Sequence, residues 1–473
     1  MTDEQDTYVC REPAYTEERD NACLLIWPDI PNWIVVDREA FEFIKAIQGE
    51  NTLEYVKEQF FEVAEGFLTS KEADAFIESL LSTHVLYNKE DGPFDIPARS
   101  QKIRSIILYP TNRCNLRCIM CYNNENLQAV GEKTDELTAE EYKDFFDQIV
   151  PFLADSRTSV QILGGEPLVV PEKTLKIMEY ASSSVDHIAL STNGTLITRE
   201  FAKRAARIEH VNVQVSIDSP YREHHEALRG KGTYDRTIEG IKILIEENVA
   251  TALNMVCHQG NLDELEEYYK LAFDLEVKRA RFIPLQLAGA AIECGLKVPS
   301  YKELMEKSLA VFKENPQYKT LMGSDFLSTT AAICRNCAKQ GWCGTGLRVM
   351  MLNADGTVYP CPNHYLPEFV VGNIREKRFA EMWESSEVLR KIRETYPVES
   401  LNEQCAQCPV RHWCVGWCRG ETYQVTGSMT APSVLCEDIK QMIIDMFFNV
   451  SLERDVFGEV PKEFGKAQDL KRL

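Results

Sequence analysis

The chain has 473 residues, 44% of them apolar and 26% charged, so it is globular rather than disordered and long enough for two to four domains. No apolar run approaches the roughly 20 residues of a membrane helix. The acidic start, Met1 to Asp6, lacks a basic-then-apolar export signal, so a cytoplasmic protein without a membrane span is expected. The net charge of -21, from 52 basic and 73 acidic residues, argues against a general nucleic-acid binder. The 16 cysteines of such a chain point to metal rather than to disulfides.

The first zone runs over 1–95. Leu24 to Trp27 and Trp33 to Val36 read as strands, and Asp37 caps a helix carrying Phe41, Ile44 and Ile47, stopped at Gly49. Thr69 with Glu72 reads as a capping box for a second helix, with Ala73, Phe76, Ile77, Leu80 and Leu81 on its apolar face. His84 to Tyr87 returns as a strand, and a linker with Asp91-Gly92-Pro93 and Pro97 follows. This pattern is a small winged-helix-like α+β module. A DNA-binding role is disfavoured by its acidity (Glu39, Glu42, Glu50, Glu54 and Glu58 among others), and a purely structural winged helix stays open.

The second zone, 103–315, alternates strands and helices. Strands fit at Ile106–Leu108, Val160–Leu163, Ile188–Ser191, Val211–Ile217, Leu253–Val256 and Ala280–Pro284. Thr138 with Glu141 caps a helix that buries Tyr142, Phe145, Phe146 and Ile149. The fold class is α/β, a parallel sheet with helices outside, whose ligands sit at the carboxyl ends of strands. Cys114, Cys118 and Cys121, then Gly164-Gly165-Glu166-Pro167, Thr192-Asn193-Gly194 and Asp218, all fall at such ends.

The third zone, 316–450, is cysteine-rich and poor in periodic segments. Asp355-Gly356 reads as a hairpin turn between Arg348–Leu352 and Thr357–Tyr359. Such a zone has little core of its own and is held by metal. Residues 451–473 read as a surface tail. Cys257, Cys10, Cys23 and Cys294 default to buried structure. His224-His225 reads as a loop or helix surface, and His364 lies beside Cys361.

Three thiolates from Cys-x3-Cys-x2-Cys leave one iron of a 4Fe-4S cluster without a protein ligand, free to bind a substrate or cofactor. A zinc site with a distant fourth ligand fits the bare spacing too. With its surroundings, Cys114-Asn-Leu-Arg-Cys118-Ile-Met-Cys121-Tyr122 resembles the signature of the radical S-adenosylmethionine enzymes. That resemblance implies a partial (β/α)6 barrel. It also implies an open iron that chelates S-adenosylmethionine, and one-electron cleavage to a 5'-deoxyadenosyl radical. Gly164, Gly165, Glu166 and Pro167 match the motif that contacts the cofactor's amino group, where glycines allow close approach and a carboxylate suits an ammonium. Asn193 and Ser216 resemble later cofactor-lining strand ends, and Arg229 the carboxylate-binding arginine. Met120 stands where an aromatic residue is usual, beside the adenine.

The late cysteines, by spacing alone, fit two zinc sites or two iron-sulfur clusters. They resemble the SPASM extension of that family. The resemblance implies one auxiliary 4Fe-4S cluster on Cys337, Cys343, Cys361 and Cys418, and another on Cys405, Cys408, Cys414 and Cys436; Cys334 is an alternative to Cys337. The first zone is similar to the RiPP recognition element, which grips a leader peptide by adding it as a strand to a sheet edge.

Together these resemblances imply a maturase of a ribosomally synthesised precursor peptide, with S-adenosylmethionine, three 4Fe-4S clusters, and an external electron donor such as flavodoxin or ferredoxin. A thioether from a cysteine sulfur to carbon, as in sactipeptides and ranthipeptides, is the expected product. Carbon-carbon crosslinking and a protein substrate of the quinohaem amine dehydrogenase or sulfatase type are alternatives. Pro362 after Cys361 stands where sulfatase maturases carry an aspartate base. An iron-sulfur electron carrier or scaffold is the non-enzyme alternative.

Overall fold

The structure is a computed structural model and describes residues 6–63, 70–92, 102–323, 325–335 and 343–457. The capping box at Thr69 and Glu72, the linker prolines and Cys337 lie outside the described residues or side chains.

The N-terminal region holds two small antiparallel sheets. Strands β1 (Thr7–Cys10), β5 (Gly49–Thr52) and β6 (Leu86–Asn88) form one, in the order β5-β1-β6. Strands β2 (Tyr15–Arg19), β3 (Ala22–Trp27) and β4 (Asn32–Asp37) form the other. Asp37 caps the helix Arg38–Ala46 by accepting from the Ala40 N–H, as read. The helices Leu53–Val63 and Ser70–Ser82 complete the region. Its own core gathers Leu25, Trp27, Phe43, Ile44, Val56 and Leu86.

The central sheet has nine strands. Six run parallel in chain order: β7 (Ser105–Leu108), β8 (Ser159–Ile162), β9 (His187–Thr192), β10 (Val211–Ser216), β11 (Thr251–Cys257) and β12 (Arg279–Pro284). Helices return the chain between successive strands, which is the partial (β/α)6 barrel expected. The strands alternate. Val213, Val215, Leu253, Met255 and Phe282 pack outward against the helices, while polar side chains line the inner face. The capping box on the helix Ala139–Ile149 forms in full, with Thr138 and Glu141 reciprocally bonded.

The third region is less separate than its composition suggests. The hairpin of β13 (Val349–Leu352) and β14 (Thr357–Tyr359) forms around Gly356, but β13 also pairs parallel with β7, Ile106 opposite Met350. With β15 (Gly372–Asn373) it extends the barrel sheet, so the region borrows the barrel's core as well as holding a small one around Ile392, Tyr396 and Leu401. The helix Cys436–Leu452 buries side chains on most of its circumference. It runs past Val450, and a further turn, Arg454–Phe457, follows, so helix stands at the start of the stretch expected as a tail; residues 458–473 lie outside the described residues. His225 is also a correction. It is fully buried, with its Nδ1 accepting from the Asp218 N–H at 3.2 Å, while His224 stays exposed.

Candidate functional site

A cavity of about 400 Å³ opens at the carboxyl ends of the parallel strands. Cys114, Cys118 and Cys121 all line it from the loop after β7, with Met120 beside them. Burial pushes the Cys114 thiol up to about 12 and the Cys121 thiol up to about 11, so without metal both stay protonated. Metal binding at these thiols would release protons. Among the described residues no three His, Cys, Asp or Glu groups converge closely enough to hold a single metal ion. A four-iron cube is larger than one ion, and its cysteines reach separate corners rather than a common centre.

Gly164 and Gly165 line the cavity, but their close approach is to the chain itself. A Cβ on Gly165 would sit 2.3 Å from the Arg113 carbonyl oxygen, and one on Gly164 2.5 Å from that of Thr111. The two loops are zipped by Gly165 N–H to Thr111 O and Glu166 N–H to Arg113 O, both 2.9 Å. The glycines therefore seat the cysteine loop while their backbone still lines the cavity. Pro167 is buried and begins a short turn; it does not line the cavity.

Glu166 is fully buried at the cavity wall. Its Oε1 accepts from the Thr192 hydroxyl at 2.7 Å and the Leu168 N–H at 3.0 Å, and its Oε2 from the Asn193 N–H at 2.8 Å. Burial raises its pKa against the pull of these donors. No cation of the described residues forms a salt bridge with it, so a bound ammonium would complete it. Asn193 and Ser216 face the same space, and the Asn193 side chain ties to Asn115 of the cysteine loop at 2.9 Å.

Arg229 faces the cavity and donates its Nε–H to Asp218 Oδ2 at 2.5 Å. Burial opposes its charge, but Asp218 and Cys118 more than restore it, and the pKa is raised. Asp218 has no exposure; its Oδ1 accepts from the Val256 N–H at 3.0 Å, so it anchors the arginine to the sheet. This pairing was not foreseen. The inward residues Gln214, Asn254 and Arg281 were missed as well, although Val213-Gln214-Val215 and Leu253-Asn254-Met255 carry the period-two signal that places them on one face.

The third region closes one side of the cavity through Pro362 and Asn363. Asn363 Nδ2 donates to Gln286 Oε1 at 3.1 Å and to Cys418 Sγ at 3.0 Å. Cys361 is pushed up to about 12 by burial, with Cys418 and Cys343 acting in the same direction. Its sulfur lies 3.1 Å from His364 Nδ1. Cys414 is likewise pushed up to about 12 by burial, here with Cys408, Cys436 and Cys405 as neighbours. Val415, Gly416 and Trp417, between Cys414 and Cys418, all have left-handed backbone (φ 50°, 74° and 59°), turning consecutive cysteines into different groups. Cys343 and Cys418 are thus the cysteines that act on Cys361, and Cys405, Cys408 and Cys436 those that act on Cys414.

Comparison with known proteins agrees with this architecture. Residues 108–272 match the Radical SAM superfamily. Residues 343–409 match SPASM, an iron-sulfur cluster-binding domain. The chain is 29% identical over 343 residues to an AdoMet-dependent heme synthase of Methanosarcina barkeri, covering 69% of this chain and 94% of that protein. It is 27% identical over 332 residues to the mycofactocin maturase MftC of Mycolicibacterium smegmatis, covering 69% of this chain and 80% of the relative. Among solved structures, Streptococcus suis SuiB bound to its precursor peptide SuiA superposes with a TM-score of 0.58 at 16% identity, over 89% of this chain and 98% of that one. With its parallel barrel, cysteine loop and cysteine-rich extension, the chain carries a radical SAM domain over residues 108–272 and a SPASM iron-sulfur domain over residues 343–409.

Proposed function

We propose that the protein is a peptide maturase that installs a thioether crosslink in a ribosomally synthesised precursor. The observation that carries the radical chemistry is the convergence of Cys114, Cys118 and Cys121 with the unpaired Glu166 carboxylate and the Arg229 guanidinium on one cavity. A 4Fe-4S cluster held by the three thiolates, with S-adenosylmethionine beside it, would supply one-electron chemistry able to take a hydrogen atom from a substrate carbon. Glu166 would hold the cofactor's ammonium, Arg229 its carboxylate, and Met120 would pack beside the adenine.

Two further 4Fe-4S clusters belong in this reading. One takes Cys337, Cys343, Cys361 and Cys418, and the other Cys405, Cys408, Cys414 and Cys436. Together they would serve as an exit for electrons. The substrate carbon would give up one hydrogen atom to that chemistry. The peptide's cysteine would lose its proton to solvent as its sulfur bonds to that carbon, leaving one electron for a centre in the third region to accept. The peptide thus loses a pair of hydrogens.

The N-terminal region supports a peptide substrate. Among the described residues, strands β2 and β4 of its sheet β2-β3-β4 each pair on one side only, which suits a leader added as a further strand. Tethering the leader there raises the effective concentration of the core peptide at the cavity. A relative named as a mycofactocin maturase, and SuiB bound to its precursor peptide SuiA, support a peptide substrate.

The test uses anaerobically reconstituted protein, S-adenosylmethionine, a strong reductant and candidate precursor peptides. Formation of 5'-deoxyadenosine, with a peptide that loses a pair of hydrogens and one alkylatable thiol, is expected. Formation of 5'-deoxyadenosine with no change in any peptide would remove the maturase reading. Modified peptide with all thiols intact would remove only the thioether.

A further inference from the structure

The inner face of the barrel carries a cation that the cofactor assignment leaves over. Arg281 projects from β12 into the cavity, next to Asn254 of β11, its register partner, and near Gln214 of β10. Its Nη1 donates to Gln214 Oε1 at 3.2 Å, and Gln214 in turn accepts from the Ser191 hydroxyl at 3.4 Å. No carboxylate of the described residues forms a salt bridge with Arg281, and its Nε–H is buried without a partner. Asp325 acts on it only through space, since its oxygens are taken by the Ser328 N–H and hydroxyl and the Gly323 N–H. Asn254 is 9% exposed, and its Oδ1 is also buried without a partner. Burying a guanidinium without an anion is costly, and here burial lowers its pKa. The contrast is Arg229, which is neutralised by Asp218 and acts on Cys118, Cys121 and Glu166.

We propose that Arg281, with Asn254 and Gln214, is a receptor for a carboxylate of the substrate, so that the peptide residue entering the barrel is acidic. An Asp or Glu side chain would meet the guanidinium fork in the geometry carboxylates prefer. Gln214 already fixes one arm of that fork, and the Asn254 amide offers a further polar contact. The proposal rests on the peptide reading above, but the two can fail separately.

The test is calorimetric titration of the cluster-loaded protein, with S-adenosylmethionine and no reductant. The probes are N-acetylated, C-amidated heptapeptides Gly-Gly-Ala-X-Ala-Gly-Gly, with X as Glu, Asp, Gln or Asn, so that X holds the only carboxylate. Free N-acetylglutamate is titrated in parallel. Glu or Asp peptides are expected to bind about tenfold more tightly than their amides, equivalent to about 1.4 kcal/mol. Arg281→Gln removes that preference, and Arg281→Lys retains part of it. Binding of N-acetylglutamate but of no peptide, lost in Arg281→Gln, supports the carboxylate receptor and sinks the peptide reading alone. Equal affinity for acid and amide peptides in the unaltered protein overturns the proposal, whether or not the variants fold, and so does a total lack of binding by every probe. Weakened S-adenosylmethionine binding in Arg281→Gln with the acid preference intact would assign the arginine to the cofactor instead.

Discussion

Trp33 of β4 stacks on Phe447 of the helix Cys436–Leu452, ring centroids 4.4 Å apart, and its indole N–H donates to the Cys334 carbonyl at 2.8 Å. The N-terminal region is thereby pinned to the cysteine-rich one. Arg19 adds an ion pair to Asp445 of the same helix at 2.6 Å, and Asp29 one to Arg411, beside Cys408 and Cys414, also at 2.6 Å.

Trp33→Ala removes the largest apolar part of this contact. The expected cost is about 3–5 kcal/mol, read as a lower midpoint or a split transition in chemical denaturation. Asp29→Ala removes only an exposed partner and should cost under about 1 kcal/mol. Equal effects of the two variants would mean that the tryptophan does not anchor the region.

Gly165→Ala tests the seating of the cysteine loop. Its Cβ would meet the Arg113 carbonyl, which belongs to the loop backbone and cannot swing away. Overpacking of this kind costs about 1–3 kcal/mol, and displacement of the loop should weaken iron loading as well. Gly131→Ala, where nothing lies within 4 Å, is the control and should stay within about 0.5 kcal/mol. Iron content and urea midpoints of the two variants decide the matter; identical values would contradict the zipper.

Much of this site was readable because its signals are local. The cysteine spacing, the Thr138 capping box and the six strand segments each depend on residues close in sequence. What escaped depends on distant partners. β2 is polar (Tyr15-Thr-Glu-Glu-Arg19), and it is held by pairing with β3 and by Asp445. The helix Cys436–Leu452 is buried nearly all round, so it shows no amphipathic stripe. The pairing of β13 with β7 joins segments more than two hundred residues apart, for which no local pattern exists. Arg281 escaped for another reason: a strand arginine reads as solvent-facing unless the strand is known to border a cavity.

Glu141 and Arg375 join the barrel's first helix to the turn after β15, with Arg375 Nε donating to Glu141 Oε1 at 2.6 Å. That hydrogen bond, with those from Thr138, holds the Glu141 carboxyl down to about 2. A depressed folded-state pKa stabilises above the unfolded value of about 4.3. The contribution is fully present at neutral pH and fades as pH falls from about 5 toward 2. Both side chains are about one-third exposed, so screening limits the pair to under about 1 kcal/mol. Urea denaturation of the protein and of Glu141→Gln at pH 7 and pH 3.5 should show the difference narrowing at the lower pH. A constant difference would mean that neither Arg375 nor the Thr138 cap favours the charged carboxylate.

His364 is positioned to tune whatever cluster Cys361 holds. Burial, assisted by the Arg419 guanidinium, pushes its pKa down to about 3, so the ring is neutral. Burial raises the Tyr396 pKa, so that hydroxyl keeps its proton. The Tyr396 O–H lies 2.6 Å from His364 Nε2 and donates to it, which leaves the ring proton on Nδ1, 3.1 Å from the Cys361 sulfur. A neutral N–H donor to a cluster thiolate stabilises the more negative, reduced state. If the bond is worth about 1.5 kcal/mol more to the reduced form, its loss lowers a one-electron potential by on the order of 60 mV. His364→Ala should therefore shift one auxiliary signal to more negative potential in redox-titrated electron paramagnetic resonance. Tyr396→Phe should shift the same signal by less, since it frees the tautomer without removing the donor. A signal that moves equally in both variants, or in neither, would mean that the imidazole does not reach the cluster through Cys361.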